Sequence, residues 1–342
     1  MAAEALQITV GDRVVRVSNP GKVLFPGPGL TKEDMVRYYI AVGGGMLAAI
    51  EGRPTALRRY PDGIGGESFF QKRVPQGAPP WVETVRITFP SGRSADEICP
   101  TEVAVLAWAA NLGSVEFHPW PVRRPEVDHP DELRIDLDPQ PGTTFRDAVS
   151  AAVLAREVLA GVGCTAFAKT SGGRGVHLGV RITPEWTFTE VRRAAIALAR
   201  ELARQRPDLI TADWWKEQRG ERVFVDFNQA ARDRSMAAAY SVRATPTATV
   251  SAPVTWDELG DAEPEDFTMV TMPERFARVE DPRAGMDKAA GRLDGLLEMA
   301  AADERDRGLG DMPYPPDYPK MPGEPKRVQP SRARPAAPGD GG

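Results

Sequence analysis

The chain has 342 residues, 42% of them hydrophobic, and a net charge of −5, which is typical of a soluble globular protein with one large domain or two closely packed ones. Only two cysteines are present, which excludes a disulfide framework or a cysteine-rich zinc site and fits a reducing cytoplasm. No apolar run approaches the ~20 residues of a membrane span, no signal peptide is expected, and the acidic charge alone argues mildly against a nucleic-acid partner.

The first predicted elements are a hairpin and a helix. Strands over 7–10 and 13–17 flank a Gly-Asp-Arg turn. A helix then begins after the N-cap Thr31, has Asp34 at its third position, and continues without interruption to Ile50. These elements indicate an N-terminal part of mixed helices and strands.

Residues 54–130 predict short strands, loops and one helix near the run TEVAVLAWAANLG. Just before and within this region, residues 53–73 carry five basic side chains interleaved with Phe69 and Phe70. Basic groups beside aromatic rings can hold phosphates and stack on bases. The same stretch also fits a surface loop next to two core aromatics.

The region from 132 to 229 predicts alternating elements in the order strand, helix, strand, strand, helix, strand. This order is the split βαβ or ferredoxin-like pattern, which forms a four-stranded antiparallel sheet with both helices on one face. A last helix falls within 287–306, and a Pro-rich basic tail from Met312 onward is expected to be extended or disordered. The six elements are a strand at 132–138, a helix at 143–163, strands at 165–171 and 175–182, a helix at 189–205 and a strand at 221–229.

Three aspartates are predicted to meet on this sheet. Asp136 and Asp138 alternate with apolar residues in the first strand, so they share one face, roughly 6–7 Å apart. Asp226 lies in the last strand, which the ferredoxin-like order places beside the first. Three carboxylates on neighbouring strands are the usual oxygen ligands of two divalent ions in phosphoryl transfer. A solvated acidic strand face would show the same residues.

A glycine-rich segment, KTSGGRGVHLGV, joins the two middle strands. Its glycines allow backbone amides to approach a phosphate, and Ser171, Arg174 and His177 add a hydroxyl, a charge and an imidazole. The spacing is not that of a Walker loop, and no helix follows as a dinucleotide fingerprint requires. A hairpin turn with a structural histidine is the alternative interpretation.

In this order, the motifs resemble the primase–polymerase domain of bacterial end-joining DNA ligases (ligase D), in the archaeo-eukaryotic primase superfamily. The matching motifs include IDLDP, TSGGRGVHL, RVFVDFNQAARDR, NPGKVLFP, SFFQKR and EFHPWP, spread from about residue 7 to 290. The resemblance implies an α+β fold with an RRM-like catalytic portion over 131–300. It also implies an N-terminal α/β portion over 1–130 that binds DNA, followed by the tail at 310–342.

The resemblance also implies a role for individual residues. Two Mn²⁺ or Mg²⁺ ions, with no organic cofactor, would be bound by the catalytic residues Asp136, Asp138 and Asp226. The incoming nucleotide would contact His118, Ser171, Arg174, His177 and Arg243; the family often has lysine in place of Arg174, a change from a point charge to a planar fork. A DNA 5′-phosphate would contact Asn19, Lys22, Lys32 and Arg59. The template base would stack on Phe69 and Phe70, and Arg219 and Gln229 would contact DNA or the nucleotide.

The implied function is template-directed addition of nucleotides, ribonucleotides being preferred, to 3′-hydroxyl ends in DNA repair, by end joining or gap filling. The expected partners are gapped or broken duplex DNA with a 5′-phosphate, NTP or dNTP, the end-binding protein Ku, and a separate DNA ligase, because the chain has no KxDG adenylation motif. We expect a bacterial, cytoplasmic, nucleoid-associated protein without a membrane partner.

Two other function classes remain open from the residues. A two-metal nuclease would use the same carboxylates but would need no triphosphate pocket. A noncatalytic RRM-like module would carry exposed aromatics on its sheet, where this sequence has aspartates. Release of pyrophosphate during metal-dependent extension would distinguish a polymerase from both.

Overall fold

The computed structural model describes residues 5–89 and 91–314. Its N-terminal half has a five-stranded sheet of β5 to β9, two small hairpins and three helices. The strands are β1 (Leu6–Val10), β2 (Arg13–Val17), β3 (Val23–Phe25), β4 (Leu30–Thr31), β5 (Thr55–Arg59), β6 (Phe69–Gln71), β7 (Thr84–Thr88), β8 (Ser94–Ile98) and β9 (Ser114–Pro119). The helices are α1 (Lys32–Ala41), α2 (Gly43–Ile50) and α3 (Val103–Asn111).

The prediction of one continuous helix over 31–50 is wrong, because the chain bends at Val42. The N-cap is confirmed: Thr31 and Asp34 form a complete capping box. A valine followed by three glycines propagates a helix poorly. The glycines also permit close packing, since a Cβ on Gly43 would lie 2.5 Å from a methyl of Val103.

The second half contains the ferredoxin-like sheet predicted above, with five strands instead of four, because the short strand Ile210–Thr211 pairs in parallel with Val223–Val225. Its strand order is β11-β12-β10-β14-β13, and the first four strands are antiparallel neighbours, which confirms the ferredoxin-like order. Helices α4 and α5 pack on one face, and each begins with a threonine capping box. The elements are β10 (Glu132–Pro139), α4 (Phe145–Gly161), β11 (Ala166–Thr170), β12 (Val176–Arg181), α5 (Phe188–Gln205), β13 (Ile210–Thr211) and β14 (Val223–Val225).

The C-terminal segment contains α6 (Trp256–Leu259), α7 (Met272–Arg278) and α8 (Asp294–Arg307), and α8 packs against α5. Helix α8 starts later than the predicted 287, because Met286–Lys288 forms a separate 3₁₀ turn. The predicted tail lies outside the described residues from 315 onward. In the described part of the chain, no helix is both long and apolar enough to cross a membrane.

The last catalytic strand is shorter than predicted. Instead of running over 221–229, strand β14 stops at Val225, and a 3₁₀ turn follows over Phe227–Ala230. Asp226 caps this turn, because its Oδ1 accepts a hydrogen bond from the Asn228 amide at 3.0 Å. A side chain that binds the nearby backbone in this way competes with strand pairing.

Strand β10 is buried on both faces over its first half, whereas its alternation predicted one solvated face. Glu132 and Arg134 are 4% and 5% exposed. Arg134 donates to the carbonyls of Pro119 and Trp120, at the end of β9, so the N-terminal half covers this face of the sheet. Solvent reaches the strand only at Asp136 and Asp138, where this cover ends.

Candidate active site

Strand pairing brings the three predicted aspartates together. In the register of the sheet Asp136 is opposite His177, and Asp138 is opposite Phe224. The Asp226 amide donates to the Asp136 carbonyl at 2.9 Å, directly beyond the last pair of β14. The three carboxyl groups therefore share the open end of β10.

Each carboxylate has a partner of its own. Asp138 accepts from the side-chain amide of Gln140 at 2.9 Å, and Asp226 accepts from that of Gln229 at 3.0 Å. Asp136 Oδ1 lies 3.4 Å from His177 Nε2.

Among residues 5–89 and 91–314, no three His, Cys, Asp or Glu side chains converge as a metal-ligand set. The side chains would have to rotate toward one another to bind an ion.

Burial and mutual repulsion raise the pKa values of these three carboxyl groups. Burial raises the pKa of Asp136 to about 6. Burial and the charge of Asp136 raise the pKa of Asp226 to about 6, and the same two causes raise the pKa of Asp138. The positive charges nearby are thus too few to keep the three carboxyl groups at the ordinary pKa of an aspartate. Carboxylate oxygens are the donors that Mg²⁺ and Mn²⁺ prefer, so the residues fit these ions chemically.

The glycine-rich loop closes on the hydroxyl of Ser171. Its Oγ accepts from the amides of Gly173 and Gly175, both at 3.1 Å. Gly172 has φ +71°, and a Cβ there would lie 2.5 Å from Cγ of Arg243. Only glycine therefore lets the arginine stem pack against the loop.

Two predicted arginines are held at this loop. Arg243 Nη1 donates to the Ser171 carbonyl at 2.7 Å, and the exposed Arg174 donates to the Pro139 carbonyl at 3.2 Å. The charge of Arg174 acts to lower the pKa of Asp138, which places it beside the carboxylates. The loop and the acidic end of β10 thus form one concave site with charges of both signs.

His118 lies on β9 at the side of this site. Its Nε2 is 2.9 Å from Glu116 Oε2, and its ring meets the edge of Phe70 at a centroid distance of 5.1 Å. Burial lowers the pKa of His118. Burial alone would raise the pKa of Glu116, but the hydrogen bond from His118 and the charge of Arg243 lower it to about 2. The ionised Glu116 therefore links His118 to Arg243 at the glycine-rich loop.

The residues predicted to bind a DNA 5′-phosphate form a cationic cluster that is separate from the arginines of the glycine-rich loop. Lys32 Nζ donates to the Ser18 carbonyl at 2.7 Å, and Lys22 Nζ donates to Asp62 at 2.8 Å. Burial, followed by the charges of Lys22 and Arg59, lowers the pKa of Lys32, so the three cations are close. The turn before them depends on Asn19, which has φ +48°. A phosphate would relieve the repulsion among these cations.

The two predicted stacking residues lie between the lysine cluster and His118. Phe69 and Phe70 are 46% and 52% exposed, although both are large apolar side chains. The Arg59 guanidinium lies 5.3 Å from the ring of Phe69, and that of Arg58 lies 5.6 Å from Phe70. Phe69 therefore lies against Arg59 of the lysine cluster, and Phe70 lies against His118.

Arg219 is fixed near the aspartates. Its guanidinium stacks 3.4 Å from the centre of the Phe224 ring and donates to the carbonyls of Asp213 and Trp214. Its charge acts to lower the pKa of both Asp138 and Asp226. Arg219 therefore lies close enough to Asp138 and Asp226 to offset part of their negative charge.

Sequence reasoning missed three residues of the site. Gln140 and Glu116 hold Asp138 and His118 as described, and Lys169 bonds His177 Nδ1 at 2.6 Å. For Glu116 and Lys169 the available signal was a charged residue inside a short, largely apolar strand, as in SVEFHP and AFAKT, whereas the neutral Gln140 follows β10 and gave no such signal.

Comparisons with known proteins identify the family of the chain. Residues 31–283 match the family model of the LigD primase-polymerase domain. The chain is 33% identical over 308 residues to the multifunctional non-homologous end joining protein LigD of Mycolicibacterium smegmatis, covering 90% of this chain and 40% of that protein. It is 32% identical over 259 residues to the bifunctional non-homologous end joining protein LigD of Bacillus subtilis, covering 75% and 41%.

A solved structure agrees with these relatives. The polymerase domain of Mycobacterium tuberculosis ligase D, in complex with DNA, superposes with a TM-score of 0.76 and 31% identity over 81% of this chain and 99% of that one. The chain spans about two fifths of the length of the curated relatives named above. It has the α+β fold of that polymerase domain and belongs to the LigD primase–polymerase family, whose members are DNA and RNA nucleotidyltransferases.

Proposed function

We propose that this chain adds nucleotides, under the direction of a template, to 3′-hydroxyl ends at gaps or breaks in duplex DNA during repair. The observation that carries the proposal is the combination on one surface of three carboxylates, an arginine-lined glycine loop and a separate lysine cluster. A nuclease would need the carboxylates but not the loop. A binding module would need neither.

In this proposal each group has a chemical task. Asp136, Asp138 and Asp226 would hold two Mn²⁺ or Mg²⁺ ions, which supply Lewis-acid stabilisation of the charge on the attacking and leaving oxygens. Arg174 and Arg243 would bind the triphosphate as planar, multidentate donors. The remaining triphosphate and sugar contacts would come from Ser171, His177 and His118.

The DNA end would be recognised by the N-terminal half. Lys22 and Lys32 would bind a 5′-phosphate across the gap, and the exposed rings of Phe69 and Phe70 would stack on a template base. The names of the relatives support a role in non-homologous end joining. We extend the proposal to a cytoplasmic protein that prefers ribonucleotides and works with Ku and a DNA ligase.

Primer extension on a short gapped duplex tests the proposed reaction. In Mn²⁺ the primer should lengthen by the templated nucleotide with release of one pyrophosphate per addition, faster with NTP than with dNTP. A chelator should stop the reaction. Shortening of the primer would instead identify a nuclease, and binding without a change of primer length would identify a noncatalytic module.

The lysine cluster gives a second prediction. Replacing Lys22 and Lys32 together by alanine should remove the advantage of a 5′-phosphate, which we expect to be about tenfold or more from two charge-assisted contacts. The measurement is the ratio of gap-filling rates on substrates with and without that phosphate. Lys22→Ala alone should lower the ratio partly, which guards against an effect of the buried Lys32 on folding.

The matched control is Arg16→Ala, which removes an exposed cation from β2 outside the cluster. It should leave the ratio unchanged. If the double variant retains the full phosphate effect, the lysines do not form the pocket, whatever their effect on overall affinity.

A further inference from the structure

Lys169 is a buried amino group behind the proposed triphosphate site, where burial and the charges of Arg283 and Arg243 lower its pKa. It is 5% exposed, on β11, next to the strand that carries His177. Its Nζ has three partners: His177 Nδ1 at 2.6 Å, the Ala237 carbonyl at 2.9 Å and Ser251 Oγ at 2.6 Å. An ammonium has three protons to donate, so this set matches its capacity.

The direction of these hydrogen bonds can be worked out from the neighbours. Ser251 Oγ donates its proton to the Thr170 carbonyl at 2.8 Å, so it accepts from the lysine. The Ala237 carbonyl can only accept. When Lys169 is protonated, its third proton points at His177 Nδ1, which is then the unprotonated ring nitrogen of a neutral imidazole.

The other ring nitrogen then carries the proton. His177 Nε2 faces Asp136 Oδ1 at 3.4 Å. The opposite tautomer would turn a bare nitrogen lone pair toward an ionised carboxylate, which is repulsive. Both neighbours of the ring, Lys169 on one side and Asp136 on the other, thus favour the same tautomer.

A lysine partner also separates this histidine from a metal ligand. Histidines that bind metals usually donate Nδ1–H or Nε2–H to a carboxylate or carbonyl, which leaves the other nitrogen free to accept the ion. A lysine reverses this polarity and makes the exposed side of the ring a donor. The ring is therefore suited to donate a hydrogen bond to an anionic oxygen.

We propose that Lys169 is a positioning residue that fixes His177 as the Nε2-protonated tautomer, so that the ring donates toward Asp136 and the triphosphate. The part of the inference that concerns the triphosphate rests on the proposed function. The part that concerns the tautomer does not, because it depends only on contacts within the chain.

The tautomer can be read directly by NMR. The chain has only three histidines, so histidine labelled with ¹⁵N gives three ring systems, and His177→Gln identifies the signals of His177. In the full-length protein without metal or nucleotide, His177 should show a protonated Nε2 and an unprotonated Nδ1. In Lys169→Met the population of this tautomer should fall, because the methionine has no proton to donate and only Asp136 still favours it.

Two further variants keep the test independent of folding. Lys169→Arg retains a donor and should preserve the tautomer. Ser251→Ala removes one acceptor of the ammonium but leaves the His177 contact, and it too should preserve the tautomer. An unchanged His177 signal in folded Lys169→Met would overturn the inference, as would an Nδ1-protonated ring in the unmodified chain.

Kinetics link the tautomer to the nucleotide. Lys169→Met should raise the KM for the incoming nucleotide by about tenfold, the value of one charge-assisted hydrogen bond, with a smaller change in kcat, and Lys169→Arg should restore most of it. If the chain extends no primer but the NMR result holds, the proposed function fails and the positioning role stands. If primers are extended but KM does not move, the link to the triphosphate is wrong.

Discussion

Asp136→Asn is expected to lower the rate of nucleotide addition by at least about a thousandfold and, without metal at pH 8, to increase the free energy of unfolding. Under the proposed function the loss of rate follows from the loss of an anionic ligand at the reacting centre. The gain in stability follows from the cost of an ionised carboxylate in this place. One substitution should therefore move activity and stability in opposite directions.

The sign of the stability effect follows from the pKa. Asp136 has a pKa of about 6 in the folded chain, raised by burial from an ordinary value of 3.8. The folded state thus binds a proton more tightly than the unfolded state does. This contribution stabilises the protein below about pH 4 and is lost as the pH rises through 6. Because the side chain is 22% exposed, we expect a cost on the order of 1–2 kcal/mol above pH 6.

Unfolding in urea at pH 5 and pH 8, with a chelator present, measures this effect. The gain from Asp136→Asn should be larger at pH 8 than at pH 5, and Mn²⁺ should stabilise the unmodified chain at pH 8 more than the variant. Asp12→Asn, in the exposed turn between β1 and β2, is the matched control and should change neither quantity. A variant that is less stable than the unmodified chain at pH 8 would show that the carboxylate is not held at a cost.

The order of the catalytic sheet could be predicted because local patterns determine it. Alternation identified β10, two amphipathic runs identified α4 and α5, and few topologies join strands and helices in that order. The burial of the outer face of β10 could not be predicted in this way. Arg134 is on the polar side of the alternation, and its partners, such as the carbonyl of Pro119, come from a different sheet that no local pattern reveals.

The candidate site was likewise predictable in one part and not in another. Asp136 and Asp226 follow from strand register, but the partners that orient the side chains depend on tertiary packing. Lys169 bonds Ser251, 82 positions away in the sequence, and no local pattern connects them. The extent of β14 was mispredicted for a related reason, since a side-chain cap at Asp226 ended the strand within an apolar run.

The largest loss of stability is expected from Asp131→Ala, which should lower the free energy of unfolding by about 3–5 kcal/mol. Asp131 stands at the junction of the two halves of the chain. Its carboxylate accepts hydrogen bonds from both terminal nitrogens of the fully buried Arg53, at 2.6 and 2.9 Å. It also forms ion pairs with Arg123 at 2.9 Å and with Arg181 at 3.0 Å. Alanine would leave these guanidinium groups without their shared carboxylate.

The cost is large because the cations cannot return to water. Arg53 and Arg181 are 0% and 7% exposed at the side chain, and the neighbouring Glu132 is farther from them, at 3.5 and 3.7 Å. Burial alone would raise the pKa of Asp131, but the charges of Arg53 and Arg181 lower it. Its stabilising contribution is therefore present at neutral pH and is lost only as the pH falls below the ordinary aspartate value.

Urea unfolding at pH 7 measures the loss, with Asp208→Ala as the matched control. Asp208 is 66% exposed and pairs with an arginine two positions away, so its removal should cost less than about 0.5 kcal/mol. Adding Arg53→Met to Asp131→Ala should recover part of the stability, because the double variant buries one uncompensated charge fewer. A loss below about 1 kcal/mol in the single variant would mean that Glu132 suffices to balance the cluster. The position of β10 would then depend on its apolar face rather than on this junction.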